Sequence, residues 1–188
     1  MHGKKGIGEK KMQYFIGIVP PRDYREKIIS FQRNWKSNGV VNAVEPHITL
    51  KAQGGLTPDL RWLDDLENLC KDFSPFRITL TEPRFFGDYV VYLSMKSQEL
   101  YQLHKKIVQL INPPKELIKK YFELEDFVPH LTLGKTYFGM SPEELKEMAR
   151  EAQRFLMPYP TFFVEQIRVY QEMEPFIYVP YLDISLKK

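Results

Sequence analysis

The stretch EPHITLK, residues 45–51, returns in near-copy as VPHLTLGK, residues 128–135. Both read Pro-His-apolar-Thr-Leu, with the histidines at 47 and 130. At ordinary residue frequencies a second chance match to that pattern in one chain has odds of roughly 10⁻³. In a strand, side chains alternate between faces, so residues i and i+2 share one. His47 and Thr49 then lie opposite Ile48 and Leu50, and His130 and Thr132 lie opposite Leu131 and Leu133. The aliphatic side chains fasten each strand to helices behind it. The His and Thr side chains are left for the other side, which is polar and concave if two such units face each other across a groove.

The segments around the two stretches alternate strand and helix. QYFIGIV (13–19) is a short aromatic and β-branched run, a buried strand ended by Pro20-Pro21. Residues 22–37 carry Tyr24, Ile28, Ile29, Phe31 and Trp35 at helical spacing, with Gly39 placed for a left-handed cap. Thr57 and Pro58 read as the cap and first position of a second helix, whose stripe is Leu60, Leu63, Leu66, Leu69 and Phe73. Residues 76–86 and 87–95 read as a hairpin turning at Gly87-Asp88. An amphipathic helix over 97–111 and a charged, poorly patterned stretch over 112–126 lead into the second motif. Ser141, Pro142 and Glu144 have the spacing of a capping box, and 161–171 and 176–186 close the chain as strands. Strand, helix, motif strand, capped helix and strand thus occur in 13–86 and again in 89–171, the signature of an internal duplication giving two similar lobes.

Composition narrows the class. The chain has 188 residues, 43% apolar and 27% charged, in the range of an ordinary globular protein. No apolar run approaches the ~18 residues of a membrane span, and no signal region opens the chain, so a cytoplasmic location is expected. The single cysteine, Cys70, makes no internal disulfide, and no HxxxH or CxxC spacing suggests a metal. The net charge of +3 resides in residues 1–11, MHGKKGIGEKK, which hold four lysines and one glutamate. These are expected to be a disordered leader, native or introduced, with one domain over 12–188. The neutral body gives no large basic face for duplex nucleic acid.

Two imidazoles with pKa values near 6.5 suit acid–base work in which one ring is neutral and the other charged. Two threonine hydroxyls supply donors to an anion between them. A phosphorus with an entering and a leaving oxygen on opposite sides fits that layout. Lys51 shares the face of Thr49 and adds positive charge; Lys135 faces away by strict alternation unless Gly134 forms a bulge and turns it inward. His104, in LYQLHKKI beside two lysines, is expected on a solvated helix face without a role.

At HITL and HLTL the chain resembles the two-histidine phosphoesterase superfamily, whose signature is a pair of His-x-Thr/Ser-apolar motifs. It is similar to the 2′-5′ RNA ligase-like branch, which includes the RNA 2′,3′-cyclic phosphodiesterases. The resemblance implies an α+β fold of two pseudo-symmetric lobes, each an antiparallel sheet with helices on its outer face, enclosing a central cleft. It implies acid–base roles for His47 and His130, phosphate binding by Thr49 and Thr132, and a basic residue after the second motif, a place Lys135 fills. It implies no cofactor and no metal. The expected substrate is an RNA end or cyclic nucleotide bearing a 2′,3′-cyclic phosphate, and the expected state is a monomer away from membranes. The competing reading is a module that binds an RNA end or nucleotide without turning it over, against which stands the matched acid and base. A metal hydrolase using the His pair is a third.

Overall fold

The structure, a computed structural model, describes residues 12–188, so the expected leader lies outside it. The apolar run after Gln13 forms β1 (Tyr14–Ile18), buried along its whole length. Helix α1 (Arg22–Gln32) follows and buries Tyr24, Ile28 and Phe31. It stops five residues short of the expected end, and the buried Gln32 side chain in its last turn donates to the Leu133 carbonyl at 3.2 Å. Gly39 is not a left-handed cap. It has φ −71°, opens the short helix α2 (Val40–Ala43), and approaches so closely that a Cβ there would lie 2.8 Å from the Phe138 carbonyl oxygen.

The first motif strand is β2 (Ile48–Lys51). The next helix, α3 (Leu63–Asp72), starts five residues later than Thr57-Pro58 suggested. Thr57 instead bonds Asp59 in a turn, Leu60 takes a left-handed φ of 57°, and Trp62 donates its indole N–H to the Thr57 carbonyl. The hairpin is β3 (Phe76–Phe86) and β4 (Val90–Lys96), with its ladder shifted next to Pro83, which has no N–H to give. Helix α4 (Gln98–Ile111) is capped by Ser97, and the unpatterned stretch after it holds α5 (Lys115–Lys120). The second motif strand is β5 (Leu131–Lys135). Helix α6 (Pro142–Phe155) has the expected capping box, with Ser141 and Glu144 satisfying each other's backbone N–H groups. Residues 161–171 split at Glu165 into β6 (Thr161–Val164) and β7 (Gln166–Glu174), and β8 (Ile177–Ser185) ends the fold.

The eight strands form one curled antiparallel sheet in the order β6-β3-β4-β5-β2-β1-β7-β8. It divides into halves of four strands, β5-β4-β3-β6 and β2-β1-β7-β8, that meet where Ile48 pairs with Leu131. The halves are therefore joined at the motif strands rather than built as separate sheets. The chain exchanges strands between them. β3 follows α3 yet belongs to the half of the second motif, and β7 and β8 return to the half of the first. The connecting helices cross over too, α1 packing on β5 and α4 on β2, while α3 contacts β8 and α6 contacts β3, β4 and β5. Ile48, Leu50, Leu131 and Leu133 share one buried cluster with Ile28, Leu66, Leu100 and Leu145 from these helices. The aliphatic face of each motif strand is spent on this common core, which leaves the opposite face for the site.

Candidate active site

Both motif histidines are oriented in the same way. Nδ1 of His47 lies 2.8 Å from the Glu45 carbonyl oxygen, and Nδ1 of His130 lies 2.8 Å from the Val128 carbonyl oxygen. A carbonyl only accepts, so Nδ1 carries the proton in each neutral ring and Nε2 is left with a bare lone pair. Each ring also rests on an aromatic pair. His47 sits 4.9 Å from Phe15 and 5.5 Å from Tyr170, which stack on each other at 4.5 Å. His130 sits 5.0 Å from Phe86 and 5.5 Å from Tyr92, which stack at 4.3 Å. Phe15, Phe86 and Tyr170 thus serve as platforms for the imidazoles.

The antiparallel register around Ile48 and Leu131 sets Thr49 opposite His130 and His47 opposite Thr132. Residues opposite each other in an antiparallel pair point to the same face, so the two His-Thr pairs form a crossed set across the seam. Both threonines are half-buried, and neither hydroxyl bonds another described residue. Burial pushes the His47 pKa down to about 4, with the Lys135 charge and then His130 adding to the effect. Burial, followed by the charge of Lys135, also lowers His130.

Lys135 reaches this position through a bulge. Across β4 the partner of Thr132 is Tyr92 and that of Gly134 is Val91, so β5 advances two residues while β4 advances one. The Leu133 carbonyl at the irregularity accepts from Asn38 Nδ2 at 2.9 Å and from Gln32 Nε2, which keeps the buried acceptor satisfied. Gly134 packs toward α6, where a Cβ would lie 2.5 Å from Met140 Sδ and 2.9 Å from Met148 Sδ. Leu133 and Gly134 both face the helices, and Lys135 turns to the histidine side. Its charge acts on both rings, its own pKa is lowered by burial, and it has no acidic partner among the described residues.

Lys51 does not stand beside Thr49 as a free cation, which corrects the sequence expectation. It is 0% exposed, and its ammonium donates to the Ala52 carbonyl at 2.8 Å, the Gly54 carbonyl at 2.6 Å and Glu123 Oε1 at 2.8 Å. An ammonium has three N–H groups, so none remains for an anion. The partner comes from the unpatterned segment after α5, which folds over the end of β2. His104 is likewise not on a solvated face. It is 2% exposed, donates from Nδ1 to the Leu50 carbonyl at 2.7 Å, and accepts the Leu124 N–H on Nε2 at 2.9 Å. Burial pushes its pKa down to about 4, consistent with the neutral ring that this pairing needs.

The His47 side has a support that, among the described residues, the other side lacks. Glu45 Oε1 accepts from Arg168 Nη1 at 2.7 Å and from Tyr170 Oη at 2.8 Å, and Arg25 pairs with Oε2 at 3.2 Å. Arg168 is itself held by Asp183 at 2.6 and 2.8 Å. This network fixes the residue whose carbonyl orients His47, whereas Val128, which orients His130, is 46% exposed. Glu45 stands in the quoted motif and was legible as a neighbour; Arg25, Arg168 and Asp183 carry no sequence signal that links them to it. Among the described residues, no group of three or more His, Cys, Asp or Glu side chains is placed to hold a metal ion, and no helix is long and apolar enough to cross a membrane.

Comparison with known proteins places the chain in a family. A model of the 2′-5′ RNA ligase superfamily matches residues 20–172. The chain is 27% identical to an RNA 2′,3′-cyclic phosphodiesterase of Methanocaldococcus jannaschii over 146 residues, covering 72% of this chain and 78% of the other. It is also 27% identical to an RNA 2′,3′-cyclic phosphodiesterase of Methanothermobacter thermautotrophicus over 158 residues, covering 76% and 81%. Among solved structures, Escherichia coli LigT in apo form superposes with a TM-score of 0.63 at 19% identity, covering 95% of this chain and all of that one. LigT complexed with 3′-AMP gives 0.60 at 21%, with the same coverage. At those identities the likeness is one of fold.

Proposed function

The chain belongs to the 2′-5′ RNA ligase superfamily, and from that premise we propose that it hydrolyses a 2′,3′-cyclic phosphate, on an RNA end or a nucleotide, by paired histidine acid–base catalysis without a metal. The observation that carries the reading is the matched pair of imidazoles, each with Nδ1 bound to a carbonyl two residues back and Nε2 bare. A phosphoryl group between them meets a base on one side and an acid on the other. One Nε2 takes a proton from water as the water oxygen bonds to phosphorus. The other Nε2, protonated, gives its proton to the ribose oxygen as the phosphorus–oxygen bond breaks. The product is a phosphate monoester with a free vicinal hydroxyl. Thr49, Thr132 and Lys135 hold the charge on the non-bridging oxygens, the electrostatic part of phosphoryl transfer. The relatives named as RNA 2′,3′-cyclic phosphodiesterases support the substrate class.

The test is turnover of nucleoside 2′,3′-cyclic phosphates by the purified protein, with and without a chelator. Hydrolysis that survives the chelator is the expected result. Binding without hydrolysis contradicts the proposal and favours a binding module; loss of activity with the chelator contradicts the metal-free mechanism.

The pH dependence follows from the direction of the shifts. Burial lowers both rings, His47 to about 4, so each loses its proton at a pH below the ordinary value of about 6.5. Catalysis needs one protonated and one neutral ring. The profile of kcat/KM reports the free protein and is expected to be a bell with its maximum below pH 6.5. A bound phosphate anion favours the charged ring, so the kcat profile is expected at higher pH. A kcat/KM maximum above pH 7 contradicts this.

A further inference from the structure

His104 on α4 is buried and takes no part in the proton transfers described above. Its ring nevertheless ties the first motif strand to the segment that leads into the second. Nδ1 donates to the carbonyl of Leu50, the residue after Thr49, at 2.7 Å, and Nε2 accepts the Leu124 N–H at 2.9 Å. Phe127 stacks on the ring face at 3.6 Å with 5° between the planes, and Tyr101, one turn earlier on α4, meets Phe127 edge-on at 5.7 Å. Among the described residues β2 pairs with β5 at Ile48 and Leu131 alone. His104 therefore binds the first motif strand where the two motif strands part.

What the clamp holds in place is the carbonyl that orients His130. Val128 follows Phe127 directly and is exposed, so its own side chain anchors little. Pro129 comes next, with φ fixed by its ring, and a residue before proline is confined to extended backbone. The chain between Phe127 and His130 thus has little torsional freedom, and fixing Phe127 fixes the Val128 carbonyl. The segment upstream is strained. Phe122 and Leu124, on either side of Glu123, have left-handed φ values of 52° and 58°, which non-glycine residues keep only where the surroundings impose them. His104 is one of those surroundings, through the Leu124 N–H. The Lys51–Glu123 pair is another, with Glu123 Oε1 also accepting the Ala52 N–H. Without the bond to His104, Leu124 is free to relax toward ordinary φ values, and the Val128 carbonyl moves with it.

We propose that His104 is a positioning residue for His130: through Leu124 and Phe127 it sets the Val128 carbonyl, and with it the tautomer and the aim of the His130 imidazole. The His47 carbonyl is fixed by ion pairs to the Glu45 side chain. No such network reaches Val128 among the described residues, and the clamp from α4 takes its place. The role rests on the phosphodiesterase reading and adds to it a residue outside both motifs, whose two ring nitrogens are already engaged.

His104→Phe keeps a ring for Phe127 to stack on and removes both hydrogen bonds, whereas His104→Gln keeps one donor and one acceptor without the ring. With adenosine 2′,3′-cyclic phosphate, His104→Phe is expected to lower kcat by about 10- to 100-fold, the scale of a misplacement of ~1 Å, with KM within about 3-fold. His104→Gln is expected to recover part of that loss. Nitrogen spectra of the substrate-free, ¹⁵N-histidine-labelled protein read the positioning itself. His130 is expected as the Nδ1–H tautomer in the native chain and as a mixture of both tautomers in His104→Phe, with His47 unchanged as the internal control. A folded His104→Phe protein with native kcat, or with unchanged His130 signals, overturns the proposal. Equal disturbance of His47 and His130 marks a general loosening of the sheet and overturns it too. If His104→Phe does not fold, Phe127→Leu decides, since it keeps both His104 hydrogen bonds and removes the stack: mixed His130 tautomers support the clamp, and unchanged signals overturn it. An inert native protein overturns the hydrolase reading alone, because the imidazole signals are read without substrate and decide the positioning by themselves.

Discussion

Replacing either His47 or His130 by alanine is expected to lower kcat/KM for a 2′,3′-cyclic nucleotide by about 10²–10⁴-fold, the range associated with one general acid or base. The two losses are expected to be of the same order, because each strand contributes a bare Nε2 from a ring whose Nδ1 is held by the carbonyl two residues back. The double variant is expected to be scarcely worse than either single one, since an acid without its base does little, and residues that act as a unit are not additive. Folding is expected to survive both changes. Each imidazole lies half-buried at the seam between the two halves of the sheet, and the aromatic pair beside it, Phe15 with Tyr170 or Phe86 with Tyr92, remains packed. Circular dichroism and thermal melting beside the kinetics separate loss of chemistry from loss of structure. A variant that stays folded and keeps near-normal turnover contradicts the assignment of that histidine.

The second large effect concerns stability. Lys51→Met removes the cation from a buried pair whose side chains are 0% and 2% exposed. The Glu123 carboxylate is then left in the interior with the Ala52 N–H as its one remaining donor among the described residues. Breaking a buried pair by deleting one partner costs about 3–5 kcal/mol. For a chain of this size that corresponds to a fall in Tm of roughly 6–20 °C. Replacing both partners with apolar residues, Lys51→Met with Glu123→Leu, is expected to recover much of the loss, because no uncompensated charge remains. If Lys51 instead gripped the substrate phosphate, Lys51→Met would raise KM and leave Tm nearly unchanged. The melting temperature therefore distinguishes the pairing seen in the fold from the role its place in the motif suggested.

Much of the site was legible because it depends on local rules. Strand alternation put His47 and Thr49 on one face and His130 and Thr132 on the same face of the other strand. The extra Gly134 marked a bulge, and the bulge turns Lys135 toward the histidines. The capping box at Ser141 and Glu144 located α6 to the residue. What was not legible depends on partners distant in sequence. Lys51 obeys the alternation rule as far as any sequence pattern can tell, and its buried state is set by Glu123, 72 residues away. His104 sits beside two lysines, yet the segment carrying Leu124 and Phe127 folds over it and closes it from water. Thr57-Pro58 has the composition of a helix start, but Trp62 binds the Thr57 carbonyl and holds the stretch as a turn. The joining of the halves into one sheet hangs on a single pairing, Ile48 with Leu131, for which the two similar stretches gave a motif but no register.

The central claim is that His47 and His130 act on one phosphoryl group. Nitrogen NMR of the ¹⁵N-histidine-labelled protein during titration with inorganic phosphate measures this directly. The Nε2 signals of His47 and His130 are expected to shift together along one binding curve, with His104, whose two nitrogens are already engaged, left unmoved. Movement of one motif histidine alone, or two curves with different affinities, would contradict the shared site.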